Sequence, residues 1–358
     1  MKGRMIAVAT PDDRPFAAAL LVDGRLEDLV LAPKHGTTRL APGQTVTARV
    51  TRKLPKSGAF CVIDVGGEGY LRDARAVEQG ETVAAQVQSL PEPGKAVTLT
   101  LRRLEKGPRV ILTPGAPGIN VSKKIGNPAE RDRLAASASR ALGGAPEDLG
   151  AILRTSAKGA SDATLAREIA ALEAGAASDP LAAAVREWLC PAPDIFLAPA
   201  GLAKGWLAEP AGLFGDEAAI GALHAENDAF AAAGVWEALD ALTRVETAIG
   251  DGRASFEATR ALVAVDVDTG GDFSPAAGLK TNIGVARDLP RQLRLRGLGG
   301  KVLVDFAPMP KSQRRQVEEA LGKAFRTDPI ETSLVGWTTL GLFEIQRKRE
   351  RWPLMELL

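Results

Sequence analysis

Two segments of the sequence run apolar and then deliver an aspartate. LVAVD ends at Asp266, with Asp268 two residues later, and KVLVD ends at Asp305. Ligands of open α/β sheets bind at the carboxyl ends of the strands, and strand alternation puts Asp266 and Asp268 on one face. Converging carboxylates repel one another, and a hard divalent cation such as Mg²⁺ or Mn²⁺ relieves that repulsion. The pattern predicts a metal site; the alternative is that one or more of these aspartates caps an edge or pairs with a basic side chain.

Three arginines follow between these two segments. Arg287, Arg291 and Arg294 are spaced by four and three residues, so on a helix they share one face. Guanidinium groups bind phosphate oxygens and stabilise the charge of a transition state, which suits phosphodiester chemistry beside a carboxylate site. The alternative is the solvated face of an amphipathic helix. Pro290 lies inside this stretch and predicts a helix start or a kink, because proline lacks a backbone N–H.

The composition narrows the classes of function. With 358 residues, the chain predicts about two to four packing units. The formal net charge of +1 gives no attraction of the whole molecule to nucleic acid, so a polyanion site must be local. Two cysteines and two histidines argue against a disulfide framework and against a zinc site. The sequence shows neither a secretion signal nor an apolar run long enough to span a membrane, and we expect a cytoplasmic protein.

The residues that could do chemistry depend on several groups of elements. Residues 1–32 predict short strands with a hairpin turn at Asp23-Gly24. Residues 43–103 predict five short strands, for which an OB-fold barrel is the commonest arrangement. Residues 128–187 predict two alanine-rich helices around a strand-like run, and Ser161-Asp162 predicts the cap of the second helix. From residue 254 onward, strands alternate with helices up to a final strand near residues 331–340, which is typical of parallel α/β packing with right-handed crossovers.

Several motifs together resemble a known family. VDVDTGGD, TN, RQLRLRGLGG, LVDF, RTD and GLFEIQRKR stand in the order, and nearly at the spacing, of the nuclease core of the ribonuclease E/G family. The resemblance covers nearly the whole chain and is weak between residues 190 and 235. It implies an α+β fold of several subdomains. These are an RNase H-like subdomain in two parts (1–40 and 191–250), an inserted OB-fold RNA-binding domain (41–103), a 5′-phosphate sensor region (104–190) and an α/β DNase I-like nuclease subdomain (251–358).

The resemblance also assigns catalytic residues. Asp266 and Asp305 match the family's two magnesium-binding aspartates, and Mn²⁺ is an alternative cation. Asp268 stands where the family usually has an asparagine that orients this pair, and Arg296 matches an arginine near the scissile phosphate. We therefore group Asp266, Asp268, Asp305 and Arg296 as the implied catalytic set.

Residues that contact RNA are implied in the same way. Arg154 and Thr155 match a pair that grips a 5′-monophosphate, with Gly107 and Ile111 lining the same pocket; an ordinary loop pair is the alternative. Tyr70 matches an aromatic residue that stacks on bases. The remaining residues assigned to RNA binding are Phe60, Arg291, Arg294, Lys123 and Lys124.

Phe60 is assigned because Val62 occupies the family's other aromatic position. Phe60 lies two residues earlier, on the same strand face, and can substitute for it. A phenylalanine packed in the core is the alternative.

Some positions depart from the family's pattern. Asp268 adds negative charge, whereas Glu331 and Thr339 stand where a basic residue is usual. The chain stops at Leu358, before the family's zinc link and small domain, so we expect no zinc-linked dimer but a monomer or a differently formed oligomer. The expected function is Mg²⁺-dependent endonucleolytic cleavage of single-stranded RNA, with a preference for 5′-monophosphorylated ends, in rRNA processing or mRNA decay. The alternative is a non-catalytic protein that recognises 5′-monophosphorylated RNA ends.

Overall fold

The fold is taken from a computed structural model. It describes residues 2–55, 57–92, 94–144, 147–175, 185, 187–191, 193–199, 223–250, 252–271 and 274–358. The chain divides into two compact units, one of residues 1–88 with 96–233 and one of residues 89–95 with 234–358. Residues 200–222, inside the predicted second part of the RNase H-like subdomain, lie outside the described residues.

Three antiparallel strands open the first unit: β1 (Arg4–Ala9), β2 (Ala17–Val22) and β3 (Arg25–Leu31). The turn between β2 and β3 is the predicted one, with positive φ at both Asp23 (51°) and Gly24 (77°). Two positive φ values in a two-residue loop match the right-handed twist of the strands that the loop joins.

A closed barrel follows, as residues 43–103 predict. Its strands are β4 (Thr45–Leu54), β5 (Gly58–Ile63), β6 (Glu68–Leu71), β7 (Thr82–Ser89) and β8 (Val97–Thr100), joined in the order β4-β5-β6-β8-β7. Every second residue fills the interior, as Val46, Ala48 and Val50 do on β4. Five short strands closed on one apolar core are consistent with the predicted OB-fold.

A third layer combines a small sheet with two helices. The strands β9 (Glu105–Lys106), β10 (Val110–Pro114), β11 (Gly118–Val121) and β12 (Leu149–Leu153) form a sheet in the order β11-β12-β10-β9. A 3₁₀ turn (Thr155–Ala157) and the helices α1 (Pro128–Ala141) and α2 (Asp162–Glu173) complete this layer. The Ser161 hydroxyl caps α2 by accepting the Thr164 N–H at 3.1 Å, as the sequence predicts.

The opening sheet is completed by strands from much later in the chain. β13 (Ile195–Ala198) pairs parallel with β1, and β14 (Leu223–Ala225) pairs parallel with β13, followed by the short helix α3 (Ala229–Ala232). The strand order is β14-β13-β1-β2-β3. The barrel and the third layer are therefore insertions between the two parts of one sheet.

The second unit is built on a six-stranded sheet. Its elements are α4 (Val235–Thr243), β15 (Glu246–Ile249), β16 (Gly252–Ala258), β17 (Val263–Asp268), α5 (Pro275–Leu295), β18 (Gly300–Asp305), α6 (Arg314–Thr327), β19 (Thr332–Trp337), β20 (Phe343–Arg347) and α7 (Leu354–Leu357). The strand order is β15-β16-β17-β18-β20-β19. β15 lies before residue 251, where the sequence predicts that the C-terminal subdomain begins.

The predicted parallel packing holds for one pair of strands in this sheet. β17 and β18 are parallel and joined through α5, whereas the other described pairs are antiparallel. The short connections from β16 to β17 and from β19 to β20 allow only antiparallel neighbours, because a parallel crossover needs about a dozen residues. β20 lies in a segment for which the sequence predicted no strand.

Helices α5 and α6 pack on one face of this sheet. Val263, Val265 and Val267 face them and are buried, whereas Asp266 and Asp268 lie on the opposite, exposed face. Pro290 lies inside α5, so the prediction of a helix start at this residue is wrong, and the prediction of a kink stays a prediction. The cost of a proline inside a helix, about 3 kcal/mol, is offset by the burial of apolar side chains of α5 against the sheet. No helix in the described ranges combines the length and apolarity needed to cross a membrane.

Candidate functional site

The two aspartates of the parallel strand pair lie side by side. Asp266 of β17 is the direct register partner of Asp305 of β18, and both side chains are exposed on the face opposite α5 and α6. Among the described residues, none donates a hydrogen bond to either carboxylate or forms an ion pair with it. Two adjacent carboxylates with no cationic partner in the described part of the chain form a site that attracts a cation.

The segment that follows Asp305 is held by helix α5. Asn282 is fully buried, and its side chain donates to the Ala307 carbonyl oxygen and accepts from the Ala307 N–H, each at 2.9 Å. A Cβ at Gly278 would lie 2.7 Å from the Pro308 carbonyl oxygen, so glycine permits this close approach. The sequence marked Asn282 only as part of the TN motif, whereas the structure identifies it as the residue that fixes the end of β18.

Asp268 lies on the same face as Asp266 but already has hydrogen-bond donors. Its Oδ1 accepts the Gly270 N–H at 2.8 Å, and its Oδ2 accepts from Arg253 Nη2 at 2.6 Å. The backbone bond from Gly270 and the bond from Arg253 both lower the pKa of Asp268. The structure thus favours the alternative of a salt-bridge partner for this residue. Arg253 was missed, although strand alternation in GRASFEA puts it on the carboxylate face.

The oxygen ligands that Asp266 and Asp305 offer fit a magnesium ion. Within the described ranges, no group of three or more His, Cys, Asp or Glu side chains could hold a metal. Mg²⁺ keeps several waters and is held by only one or two protein carboxylates, which is what Asp266 and Asp305 offer. The oxygen ligands also suit a hard cation better than zinc.

Arg291 and Arg294 do not form the predicted exposed stripe with Arg287. Arg291 Nε donates to Asp288 Oδ1 at 2.7 Å, and its side chain is 14% exposed. Arg294 forms an ion pair with Asp328, whose side chain is fully buried. These two arginines are held in ion pairs within the fold because Asp288 and Asp328 supply the charge partners that a buried guanidinium requires. Arg287 is exposed.

Arg296 lies on the other side of the sheet from the two aspartates. Its Nη1 donates to the carbonyl oxygens of Leu242 (2.6 Å) and Arg244 (2.7 Å), and its Nη2 donates to Thr247 Oγ1 (2.7 Å). The guanidinium lies 4.9 Å from the ring centroid of Phe256, and burial lowers the pKa of Arg296 to about 10. In the described residues Arg296 joins the end of α5 to α4 and β15 and contacts neither aspartate, so this geometry does not favour its implied place beside the scissile phosphate.

In the first unit, the residues predicted to sense a 5′-phosphate come together. Arg154 Nη1 donates to the Gly107 carbonyl oxygen at 2.9 Å and to Glu187 Oε1 at 2.7 Å. Thr155 Oγ1 lies 3.0 Å from Ser122 Oγ. An incoming phosphate must therefore compete with the Glu187 carboxylate for the guanidinium.

A buried carboxylate shapes the loop that carries Gly107. Glu168 Oε1 accepts the N–H groups of Arg109 (2.7 Å) and Val110 (2.9 Å). A Cβ at Gly107 would lie 2.5 Å from the same oxygen, so this position requires glycine. Ile111 follows on β10, paired with Ile152. Burial raises the pKa of Glu168, and sequence reasoning missed this residue.

Two lysines of the predicted RNA-binding set lie next to this cluster. Lys123 and Lys124 are exposed and follow Ser122 at the end of β11. The Lys124 N–H points to Ser122 Oγ at 3.4 Å. Both ammonium groups therefore add positive charge to the surface beside Thr155.

The barrel carries a row of ring and guanidinium groups on its outer side. Phe60 and Tyr70 are register partners with ring centroids 5.5 Å apart, and the Arg52 guanidinium lies 4.9 Å from the Phe60 ring centroid. Phe60 alternates with the buried residues Ala59 and Cys61, so it points outward and the alternative of a core phenylalanine is wrong. Arg52 was missed by sequence reasoning.

Comparisons with known proteins show which family the sequence resembles. The sequence model of the Ribonuclease E/G family matches residues 106–178 and 215–350. The chain is 27% identical to ribonuclease E of Nostoc sp., over 95% of this chain and 55% of that protein. It is 29% identical to ribonuclease G of Escherichia coli K12, over 79% of this chain and 62% of that protein. The chain therefore spans 55% to 62% of the length of these two relatives.

Proposed function

The chain belongs to the ribonuclease E/G family, and from that premise we propose that it is an endoribonuclease that hydrolyses single-stranded RNA in RNA processing or decay. Two curated relatives that match most of the chain are named ribonuclease E and ribonuclease G. rRNA maturation and mRNA turnover are the two settings that we propose.

The observation that carries the proposal is the side-by-side placement of Asp266 and Asp305. β17 and β18 hold the two carboxylates side by side near the carboxyl ends of these strands. The hydrogen bond between Asn282 and Ala307 holds the chain just beyond Asp305. Asp266 and Asp305 would hold a Mg²⁺ ion, which would supply charge stabilisation for the phosphate and lower the pKa of a water. The protein side chains then have to hold the phosphodiester next to the two carboxylates and keep it oriented for attack.

The outer side of the barrel supports the preference for single strands. Arg52, Phe60 and Tyr70 offer one cation and two rings in a row. Stacking of a base on such a ring contributes about 1–3 kcal/mol and tolerates any sequence. Paired bases in a duplex cannot reach these rings, so this surface selects unpaired RNA.

The central test is a cleavage assay on a labelled A/U-rich single strand with Mg²⁺ or EDTA. We expect Asp266→Asn and Asp305→Asn each to lower the rate by about two orders of magnitude or more, because each removes charge where the transition state needs it. Asp240→Asn, which changes an exposed aspartate of α4, serves as the matched control. Equal cleavage in EDTA, or equal rates for Asp266→Asn and Asp240→Asn, would contradict the proposal.

A second candidate function is non-catalytic recognition of 5′-monophosphorylated RNA ends. The cluster of Arg154, Thr155 and Gly107 favours it, because a guanidinium and a hydroxyl together suit a terminal phosphate. The same cluster also supports a preference of the nuclease for such ends.

Binding of one oligonucleotide with either a 5′-monophosphate or a 5′-hydroxyl tests this recognition. We expect about tenfold tighter binding of the monophosphate, lost in both Arg154→Gln and Thr155→Val and kept in Arg167→Gln, an exposed control on α2. Discrimination without cleavage would select the non-catalytic function. Equal binding of both ends would remove sensing from either function.

A further inference from the structure

Arg253 and Asp268 form a charge pair on the carboxylate face. They are register partners on β16 and β17, with Arg253 Nη2 donating to Asp268 Oδ2 at 2.6 Å. In the neighbouring row of the same face, Ser255 is the register partner of Asp266, which in turn pairs with Asp305. The charge pair therefore lies one row beyond the two aspartates, toward the end of the strands.

The carboxylate of Asp268 is oriented from two directions. One oxygen accepts from Arg253, and the other accepts the Gly270 N–H at 2.8 Å in the turn that leads to α5. Because each oxygen accepts a separate hydrogen bond, the Asp268 carboxylate is held in one orientation. This orientation distinguishes Asp268 from Asp266 and Asp305, which have no such partners within the described ranges.

The guanidinium of Arg253 keeps donors available for another ligand. A guanidinium has five N–H donors. Besides Asp268, its nearest carboxylate in the described part of the chain is that of Glu246, with Nη1 and Oε2 3.8 Å apart, beyond hydrogen-bond distance. The Arg253 side chain is 51% exposed. It is a planar cation in a fixed orientation, next to the row of the two aspartates.

We propose that Arg253 binds a phosphate oxygen of the RNA beside the Asp266–Asp305 pair, and that Asp268 is the positioning residue that orients the Arg253 guanidinium. This inference rests on the proposed function, because it requires RNA to lie on this face. Arg253 would supply the positive charge that the predicted arginine stripe on α5 does not, since Arg291 and Arg294 are held in ion pairs. Guanidinium groups suit this role because their donor geometry matches that of a phosphate.

Binding without cleavage tests the role of Arg253. Anisotropy of a labelled single strand is measured in EDTA over a series of salt concentrations for wild type, Arg253→Gln and Arg253→Lys. We expect Arg253→Gln to bind about tenfold more weakly and to reduce the slope of log affinity against log salt by about 0.7, the share of one phosphate on a single strand. Arg253→Lys should keep the slope.

Arg260→Gln is the matched control, because it removes an exposed arginine from the turn at the other end of β16. We expect it to bind RNA like wild type. Thermal melting of each variant checks the fold, which an exposed substitution should leave intact. If Arg253→Gln and Arg260→Gln behave alike in affinity and in salt slope, the inference is overturned.

A magnesium titration of cleavage tests the role of Asp268. We expect Asp268→Asn to leave the magnesium midpoint unchanged and to lower kcat by about threefold, with no further loss when it is added to Arg253→Gln. A purely structural role would give additive losses. A tenfold rise of the magnesium midpoint in Asp268→Asn would instead make Asp268 a metal ligand and overturn its positioning role.

The two proposals fail in distinguishable ways. If the wild type binds RNA through Arg253 without cutting it, the nuclease function fails and the role of Arg253 stands. If the wild type cuts RNA and Arg253→Gln cuts and binds it equally well, the role of Arg253 fails alone. A wild type that neither binds nor cuts RNA would overturn both.

Discussion

Asp266 and Asp305 stand where alternation along two parallel strands turns side chains away from the helices. Their neighbours Val265 and Val304 point into the core, so burial of the valines fixes the direction of the carboxylates. Moving either aspartate by one residue would send it into the apolar core. The identity of each residue and its place in the alternation are therefore equally necessary for the site.

Asn282 provides the first prediction at the scale of one residue. Asn282→Ala removes both hydrogen bonds to Ala307 and leaves a buried N–H and a buried carbonyl unpaired. We expect it to lower the free energy of unfolding by about 2 kcal/mol and to raise the magnesium midpoint for cleavage, because Asp305 loses its support. Urea denaturation and a magnesium titration measure the two effects. Asn282→Asp keeps the acceptor but places a buried carboxylate oxygen against the Ala307 carbonyl oxygen, so it should be no milder in either effect. An unchanged midpoint in Asn282→Ala would contradict the positioning role.

Arg296 provides a second prediction, in which stability changes and cleavage does not. Arg296→Gln strips hydrogen bonds from the carbonyl groups of Leu242 and Arg244, and we expect a loss of about 3 kcal/mol in unfolding free energy. Cleavage per folded molecule should stay close to wild type, because the side chain lies on the other side of the sheet. Arg287→Gln, an exposed change on the same helix, controls for lost charge. If Arg296→Gln keeps the stability of the wild type but loses cleavage, Arg296 acts at the scissile phosphate, and this prediction is wrong.

At the scale of secondary-structure elements, the sequence predicts local features such as strands, turns and caps. It predicts less well which residues that lie far apart in the chain contact each other. The barrel strands, the Asp23-Gly24 hairpin and the cap at Ser161 follow from short-range rules and are confirmed. The ion pair of Arg294 was not predictable, because its partner Asp328 lies far along the chain, whereas Asp288, the partner of Arg291, lies three residues away on the same helix. Helical spacing tells which side chains share a face and not which neighbouring element covers that face.

The connection between α1 and α2 provides a prediction of pH dependence. Glu130 of α1 accepts two hydrogen bonds from Arg133, both at 2.8 Å, and one from the Gly159 N–H at 2.9 Å. The bonds from Arg133 and then that from Gly159 lower the pKa of Glu130 from 4.5 to about 2. Because the pKa is depressed in the folded state, this stabilisation is complete above about pH 4.5 and is lost as the pH falls toward 2.

Unfolding at several pH values measures this effect. We expect Glu130→Gln to be less stable than wild type at pH 7 and equal to it near pH 2. Glu173→Gln, at the end of α2, removes an exposed carboxylate as a control. A difference between wild type and Glu130→Gln that stays constant with pH would show that the carboxylate charge is not the cause.

At the scale of the whole molecule, charge is nearly balanced while positive groups are placed locally. The formal net charge is +1, so RNA affinity should depend on a few contacts and not on a general field. We propose Arg52, beside Phe60 on the barrel, as one such contact. The salt dependence of binding can therefore be assigned to particular side chains.

The barrel allows charge and stacking to be separated. We expect Arg52→Gln to reduce the slope of log affinity against log salt by about 0.7. Phe60→Ala should instead weaken binding by about 1–3 kcal/mol and leave the slope unchanged, because stacking releases no counterions. Anisotropy titrations over a range of salt concentrations measure both, and equal slopes for wild type and Arg52→Gln would exclude a phosphate contact at Arg52.

The parallel pairing of β17 and β18 also bears on synthesis of the chain. The two carboxylates come together only after residues 269–299 have been made and β18 has aligned with β17. Parallel pairing across such a crossover forms slowly, because the entropy of closing the long loop must be lost before the contacts between the strands can stabilise it. A chain still leaving the ribosome therefore lacks the carboxylate pair until β18 has emerged and aligned with β17.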